Sequence, residues 1–183
     1  MEIKLSKKQK NLYQDIVSEN KEEIYVLGST QSGKTFDISL ATIEYCQRLH
    51  KYDKDTKYYG AIIGWTTATI KGNIVEPMEQ HLANLGYRKK VKGKGDYVLQ
   101  WSSNDEKYIE LWNIRLYFFG FNNQLSFNQI LGKPLIYIWV DESARIYSQK
   151  ALQESFDQLP GRQMSFAKHP YLKTIHSFNV ERK

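Results

Sequence analysis

The spacing of apolar residues predicts helices and strands that alternate along the chain. Three stretches repeat apolar residues every three or four positions, as in a helix buried on one face, and four shorter apolar runs are typical of strands. The predicted helices cover residues 6–20, 34–49 and 66–85, and the predicted strands cover 24–27, 58–65, 135–140 and 172–179. This alternation favours an α/β domain with a mostly parallel sheet.

Local signals refine this prediction at several points. Ser6 is a plausible N-cap, Pro77 predicts an interruption or a kink in the third helix, and Gly86 is a good helix stop. Aromatic and β-branched residues across 97–119, divided by the turn residues 102–105, predict an antiparallel excursion of two or three strands. Two shorter helices are predicted at 124–131 and at 148–159, the second ending at Pro160 and Gly161.

Composition limits the possible classes of protein without choosing among them. The 183 residues suit a single domain and contain no repeat, and their net charge of +6 suits an anionic partner such as nucleic acid without proving one. The single cysteine, Cys46, excludes an internal disulfide framework and fits a buried small hydrophobe. No apolar run reaches the about 18 residues that a membrane span needs, so we expect a soluble intracellular protein without a membrane partner.

A phosphate-binding loop follows the first predicted strand and opens a predicted helix. Its eight residues match the pattern G-x-x-x-x-G-K-[ST] in full: Gly28, Ser29, Thr30, Gln31, Ser32, Gly33, Lys34 and Thr35. The glycines let backbone N–H groups face phosphates, the Lys34 ammonium reaches the β- and γ-oxygens, and the Thr35 hydroxyl is placed to coordinate Mg²⁺. The motif therefore predicts binding of a nucleoside triphosphate with magnesium.

An acidic pair follows the apolar run 135–140. Asp141 is predicted to lie on the metal side of the nucleotide, and Glu142 to orient and deprotonate an attacking water. The alternative is that the pair begins the next helix, with Asp141 or Ser143 as its N-cap. A glutamate directly after the aspartate favours hydrolysis over phosphoryl transfer to a small molecule.

Together these motifs resemble the ATPase domain of phage large terminase subunits, the motors that drive DNA into a procapsid. The resemblance covers nearly the whole chain and is carried by Gln9, the phosphate loop, the β-rich excursion, and the segments 138–142 and 175–179. It implies a RecA-like P-loop fold of the ASCE class and hydrolysis of ATP, with Mg²⁺, that powers translocation of double-stranded DNA.

The resemblance also implies roles for individual residues. Gln9 is similar to the glutamine that recognises adenine, and Ser177 and Asn179 are similar to a coupling motif that senses the γ-phosphate. In that family the coupling strand lies between the phosphate-loop strand and the acidic strand, so residues 173–179 should be central. Gln9 could instead be a surface helix residue, and Asn179 a plain turn residue.

The chain departs from the family in its arginines. Many terminases carry an arginine inside the phosphate loop, where this chain has Thr30 and Gln31, and others carry Arg-Gly where it has Leu131 and Gly132. An arginine finger stabilises transition-state charge, so one of the six arginines of the chain is expected to serve, and Arg145 and Arg162 are the candidates. Either could instead form a surface ion pair or contact DNA phosphates.

The family's other properties are carried over as expectations. They are a portal and a small terminase subunit as partners, a homo-oligomeric ring in the working motor, and a place in the host cytoplasm. The family's nuclease domain is not represented, so we expect residues 1–183 to form one ATPase domain that does not cleave DNA.

Three alternatives concerning nucleic acid remain open. Residues 87–95 carry five cations, which could contact DNA phosphates or belong to a solvated hairpin loop. The chain could be another RecA-like enzyme, a helicase or remodeller, although those usually need a second such domain. It could also be a nucleotide-binding assembly module with little turnover, since both expected arginines are missing.

Overall fold

The computed structural model describes residues 5–29, 33–102, 106–120, 132–147 and 158–179. The strands are β1 (Glu23–Gly28), β2 (Tyr58–Gly64), β3 (Tyr97–Gln100), β4 (Tyr108–Leu111), β5 (Ile114–Gly120), β6 (Tyr137–Val140) and β7 (Lys173–Asn179). The helices are α1 (Lys7–Val17), α2 (Lys34–Tyr52), α3 (Thr67–Ile70), α4 (Glu76–Asn84), α5 (Ser143–Tyr147) and α6 (Leu159–Gln163). In this described part of the chain, no helix has both the length and the apolar character that crossing a membrane requires.

All seven strands form one sheet in the order β1-β7-β6-β2-β5-β4-β3. Strands β1, β7, β6, β2 and β5 are parallel, and β3 and β4 extend the sheet as an antiparallel edge. The predicted antiparallel excursion is therefore confirmed, and its last strand, β5, also pairs in parallel with β2. Strand β7, which contains the predicted coupling residues Ser177 and Asn179, lies between β1 and β6, as the resemblance implies.

Both faces of the sheet are covered, which explains the continuous apolar run in β6. Trp139 and Ile175 belong to a core that includes residues of α1, α2 and α4, and this core also buries Cys46. Ile138 and Val140, which point the opposite way, join a second cluster with Leu159 of α6. Side chains alternate between the faces of a strand, so a strand covered on both sides needs apolar residues at every position.

The predicted helix over 66–85 is interrupted. A π-helical turn, Lys71–Val75, separates α3 from α4, and Pro77 lies in the first turn of α4. A proline is tolerated there because it lacks only an N–H that would have no partner within the helix. Gly86, with a φ of 86°, follows the end of α4 as predicted.

The prediction for Pro160 and Gly161 was wrong. They do not end a helix but lie inside α6, with Pro160 in its first turn. The same physical property explains the error, because a proline is as acceptable at the start of a helix as it is after one. The helix predicted at 124–131 lies outside the described residues, as does most of the helix predicted at 148–159.

Lys173 is a buried lysine of β7 that forms hydrogen bonds to the connection between α1 and β1. Its ammonium donates to the carbonyl oxygens of Ser18 and Lys21, both at 2.7 Å. The side chain is fully buried, and burial lowers the pKa of Lys173 to about 8. Lys173 therefore loses its proton at lower pH in the folded protein than in the unfolded chain, where its pKa is near the ordinary value of 10.5.

We predict that this lysine makes the protein more stable as the pH rises from 8 towards 10. The unfolded chain binds more protons in that window, so the free energy of unfolding should rise by about 1–2 kcal/mol. In Lys173→Met this increment should disappear, because no ammonium remains to be deprotonated. Urea unfolding at pH 8 and at pH 10 measures the increment, with the exposed Lys168→Met as the control. If the free energy of unfolding changes with pH equally in Lys173→Met and in the wild type, the prediction is contradicted.

Candidate nucleotide-binding site

The carboxyl ends of β1, β7 and β6 meet around a cavity of about 320 Å³. Its lining comprises Gly33, Lys34, Thr35, Phe36, Asn73, Asp141, Glu142 and Asn179. The register of the parallel strands explains this meeting, since Gly28 at the end of β1 pairs with Asn179 at the end of β7. Clefts at this edge of a parallel sheet are the usual ligand sites of α/β proteins.

The described part of the phosphate loop places its lysine in this cavity. Gly33 has a φ of 77°, a left-handed conformation that glycine adopts without strain, and α2 begins directly after it. The Lys34 ammonium donates to the carbonyl oxygens of Gly28 and Ser29, both at 2.8 Å, and to Asn179 Oδ1 at 3.0 Å. Residues Thr30, Gln31 and Ser32 lie outside the described residues.

The electrostatic environment of Lys34 is that of a cation facing an acid. Burial lowers the pKa of Lys34, and the charge of Asp141 opposes that shift. The three acceptors named above are neutral oxygens, which bind an ammonium less strongly than charged phosphate oxygens do. The helix amino terminus beside Lys34 adds a further positive potential for an anion.

Asp141 is held by a short polar chain between β6 and β7. Trp139 Nε1 donates to Ser177 Oγ at 3.3 Å, and that hydroxyl donates to Asp141 Oδ1 at 2.6 Å. Burial raises the pKa of Asp141, and the bond from Ser177 lowers it in part. The Asp141 carboxylate is thus hydrogen-bonded to β7, and the helix that the alternative required, α5, begins two residues later at Ser143.

Glu142 is held in an unusual backbone conformation at the mouth of the cavity. Its φ of 53° lies in the left-handed region, which costs a residue other than glycine some energy and is concentrated at functional sites. Its Oε1 accepts from Asn179 Nδ2 at 3.4 Å. Since Asn179 Oδ1 also accepts from Lys34, one amide connects the phosphate-loop lysine to the second acidic residue.

The two candidate arginines occupy opposite ends of the sheet. The Arg145 guanidinium lies 3.8 Å from Glu142 Oε2 and stacks 4.1 Å above the ring of Trp65, at the cavity edge. The backbone carbonyl of Arg162 instead accepts from Leu135 N–H, ahead of the amino end of β6. The structure therefore brings Arg145 to the site and does not bring Arg162 to it.

Gln9 borders the phosphate loop and is bonded at both ends of its amide. Its Oε1 accepts from Ser6 N–H, and Ser6 Oγ accepts from Gln9 N–H, so the two form a capping box at the start of α1. Its Nε2 donates to the buried Asp37 at 2.9 Å and lies 3.9 Å from where a side chain at Gly33 would begin. Gln9 thus connects α1 to the first turn of α2.

Two residues of the cavity were missed by sequence reasoning. Asn73 reaches the cavity from the π-helical turn Lys71–Val75, and Phe36 from the first turn of α2, where its ring meets His81 edge to face at 4.2 Å. A π-helical turn has no residue signature, although such turns are frequent at functional sites. The sequence offers one weak signal for Asn73: its polar amide side chain stands between two apolar stretches.

The comparisons with known proteins support one fold. No protein-family model matches the chain, and no curated protein matches it. Solved structures of the large terminase from a thermophilic bacteriophage are similar: one has a TM-score of 0.66 at 20% identity and covers 97% of this chain. The chain spans 39% of the length of that terminase.

Two further structures of that terminase hold nucleotides. The complex with ADP has a TM-score of 0.61 at 19% identity, and covers 96% of this chain and 39% of the terminase. The complex with ATP-gamma-S has a TM-score of 0.58 at 20% identity, with coverage of 96% and 38%. At these identities the similarity establishes architecture, so the chain has the α/β fold of the part of that terminase that it matches, as the resemblance predicted.

Proposed function

We propose that this chain is a Mg²⁺-dependent ATPase whose hydrolysis powers movement of double-stranded DNA, as in phage DNA packaging. One observation carries the proposal: the Asn179 amide lies between the Lys34 ammonium and the Glu142 carboxylate in a single cavity. Such a group contacts both the residue that would hold the γ-phosphate and the residue that would activate water. The terminase of the thermophilic phage binds ADP and ATP-gamma-S, which supports nucleotide binding by a chain of the same fold.

The residues at the cavity fit a magnesium nucleotide. Backbone N–H groups of the phosphate loop and the Lys34 ammonium would hold the phosphates, and Gln9 would contact the adenine. The Thr35 hydroxyl and the Asp141 carboxylate supply the oxygen ligands that Mg²⁺ prefers. The ion neutralises charge that develops on the phosphate oxygens when it is bound.

Glu142 is the general base in this proposal. It would orient a water in line with the γ-phosphorus and accept its proton, so that the bond to the β-phosphate oxygen breaks and ADP and phosphate form. Arg145 is our candidate for stabilising the transferred group, because its guanidinium already lies beside Glu142. We do not assign this role to Arg162 within its own chain.

The coupling strand would relay loss of the γ-phosphate. Ser177 forms a hydrogen bond to Asp141, and Asn179 forms hydrogen bonds to both Lys34 and Glu142. A change at any of these groups therefore alters contacts at the end of β7. In the working motor we propose double-stranded DNA, a portal, a small terminase subunit and further copies of this chain as partners.

Steady-state phosphate release tests the proposal and its rivals. We expect the chain to release phosphate from ATP with Mg²⁺, and duplex DNA to stimulate that release more than single-stranded DNA does. Stronger stimulation by single strands would favour a helicase or remodeller. Nucleotide binding without release at high protein concentration would favour an assembly module.

A further inference from the structure

A basic hairpin, defined here as residues 88–96, projects between α4 and β3. Its two sides are paired by the bonds from Val91 N–H to Lys94 O at 2.9 Å and from Lys94 N–H to Val91 O at 3.1 Å. At its base, Lys90 N–H donates to the carbonyl of the buried Tyr97 at 2.7 Å. The segment is thus a hydrogen-bonded hairpin joined by an isolated bridge to the start of β3.

The tip of the hairpin keeps a lysine where the backbone favours other residues. Lys92 has a φ of 50° and Gly93 a φ of 82°, so the turn has two successive residues in the left-handed region. Two-residue hairpin turns of this kind prefer Asn-Gly or Gly-Gly, because asparagine and glycine adopt positive φ more easily. Backbone geometry therefore does not explain the lysine at position 92. Its exposed positive charge is a feature that could be used in binding an anion.

The charge of the hairpin is largely uncompensated by the described residues around it. Its cations are Arg88, Lys89, Lys90, Lys92 and Lys94, all of them exposed. Of the nearby acids, Glu79 accepts from Lys89 at 3.3 Å and from the Tyr97 hydroxyl, and Asp96 accepts from the backbone N–H of Arg88. These two acids offset two of the five cations and leave a net charge of +3, and Val91 at the tip is itself 67% exposed.

The hairpin lies beside the amino ends of the parallel strands, at the opposite end of the sheet from the nucleotide cavity. Tyr97, directly after it, pairs with Leu111 at the end of β4, which pairs with Ile114 at the start of β5. Ile114 in turn pairs with Tyr58 at the start of β2. The cavity lies at the carboxyl ends of the parallel strands, so a strand length of roughly 20 Å separates the two.

We propose that this hairpin binds the phosphate backbone of double-stranded DNA, an inference that rests on the proposed DNA-translocating function and locates its DNA contact. Exposed and largely uncompensated cations at short intervals match closely spaced phosphates and need no base contact. The basic hairpin therefore confers affinity without sequence preference, and it does so away from the site of hydrolysis.

Two matched pairs of substitutions test the proposal. Lys92→Asn with Lys94→Gln removes two cations and gives the turn a residue it prefers, and Lys8→Gln with Lys10→Gln removes two exposed cations from α1. Fluorescence anisotropy of a short blunt duplex of mixed sequence is measured without nucleotide at several salt concentrations. Melting temperatures are measured in parallel.

For the hairpin pair we expect roughly tenfold weaker duplex binding near 0.1 M salt, and a salt slope shallower by about 2. Its melting temperature should equal or exceed that of the wild type. Unchanged duplex affinity would overturn the proposal and direct attention to an acidic protein surface. An equal loss in the α1 pair would also overturn it, because general charge would then explain the binding.

The test separates this proposal from the proposed ATPase. A wild-type chain that binds duplex through the hairpin but releases no phosphate contradicts the ATPase and supports the hairpin contact. A chain that hydrolyses ATP while the hairpin pair binds duplex normally contradicts the hairpin contact alone.

Discussion

Replacing Glu142 with glutamine is expected to reduce ATP turnover by about 10²- to 10⁴-fold, the usual contribution of a general base. Glutamine keeps the shape of the side chain and can still bond to Asn179, but it cannot accept a proton from water. Affinity for the magnesium nucleotide should change little, because Glu142 is proposed to contact the water rather than the phosphates.

Single-turnover phosphate release and nucleotide binding, measured on the same preparation, separate these two effects. Glu22→Gln is a matched control, since Glu22 is exposed and lies just before β1, at the opposite end of that strand from the cavity. Wild-type turnover in Glu142→Gln would exclude Glu142 as the base. Turnover and affinity falling by the same factor would assign Glu142 to nucleotide binding instead.

Replacing Lys34 with alanine is expected to weaken binding of the nucleoside triphosphate by about 10- to 100-fold, the value of a charge-assisted hydrogen bond. Turnover should fall further, because Lys34 also contacts Asn179 and so helps to position the group beside Glu142. The two substitutions therefore differ: one reduces the chemical step, and the other reduces both binding and chemistry.

Equilibrium titration with a fluorescent ATP analogue and Mg²⁺ measures the effect of Lys34→Ala. Lys10→Ala provides the control, as an exposed lysine on α1. If the alanine variant binds the analogue as tightly as the wild type, the Lys34 ammonium does not hold the phosphates.

The sequence predicted the elements around the cavity well because their signals are local. The N-cap at Ser6, the run in β6 and the start of α2 each depend on a few neighbouring residues. The central place of β7 is different, because pairing between distant segments has no local signal. It was predicted only through the resemblance to terminases.

Other features could not be predicted because local signals were ambiguous or absent. Pro160 is compatible with either end of a helix, and the structure places it at the beginning of α6. The π-helical turn that brings Asn73 to the cavity depends on packing of α3 and α4 against the core. Arg145 and Arg162 lie at opposite ends of the sheet. Their distances from Glu142 along the sequence do not show which end each one reaches.

The central claim is that the cavity at the carboxyl edge of the sheet binds a magnesium nucleoside triphosphate. Calorimetric titration of the wild-type chain with ATP-gamma-S and Mg²⁺ tests it most directly. The account predicts saturable binding of one nucleotide per chain that requires Mg²⁺ and raises the melting temperature. Absence of both binding heat and any rise in melting temperature, at every nucleotide concentration reached, would contradict it.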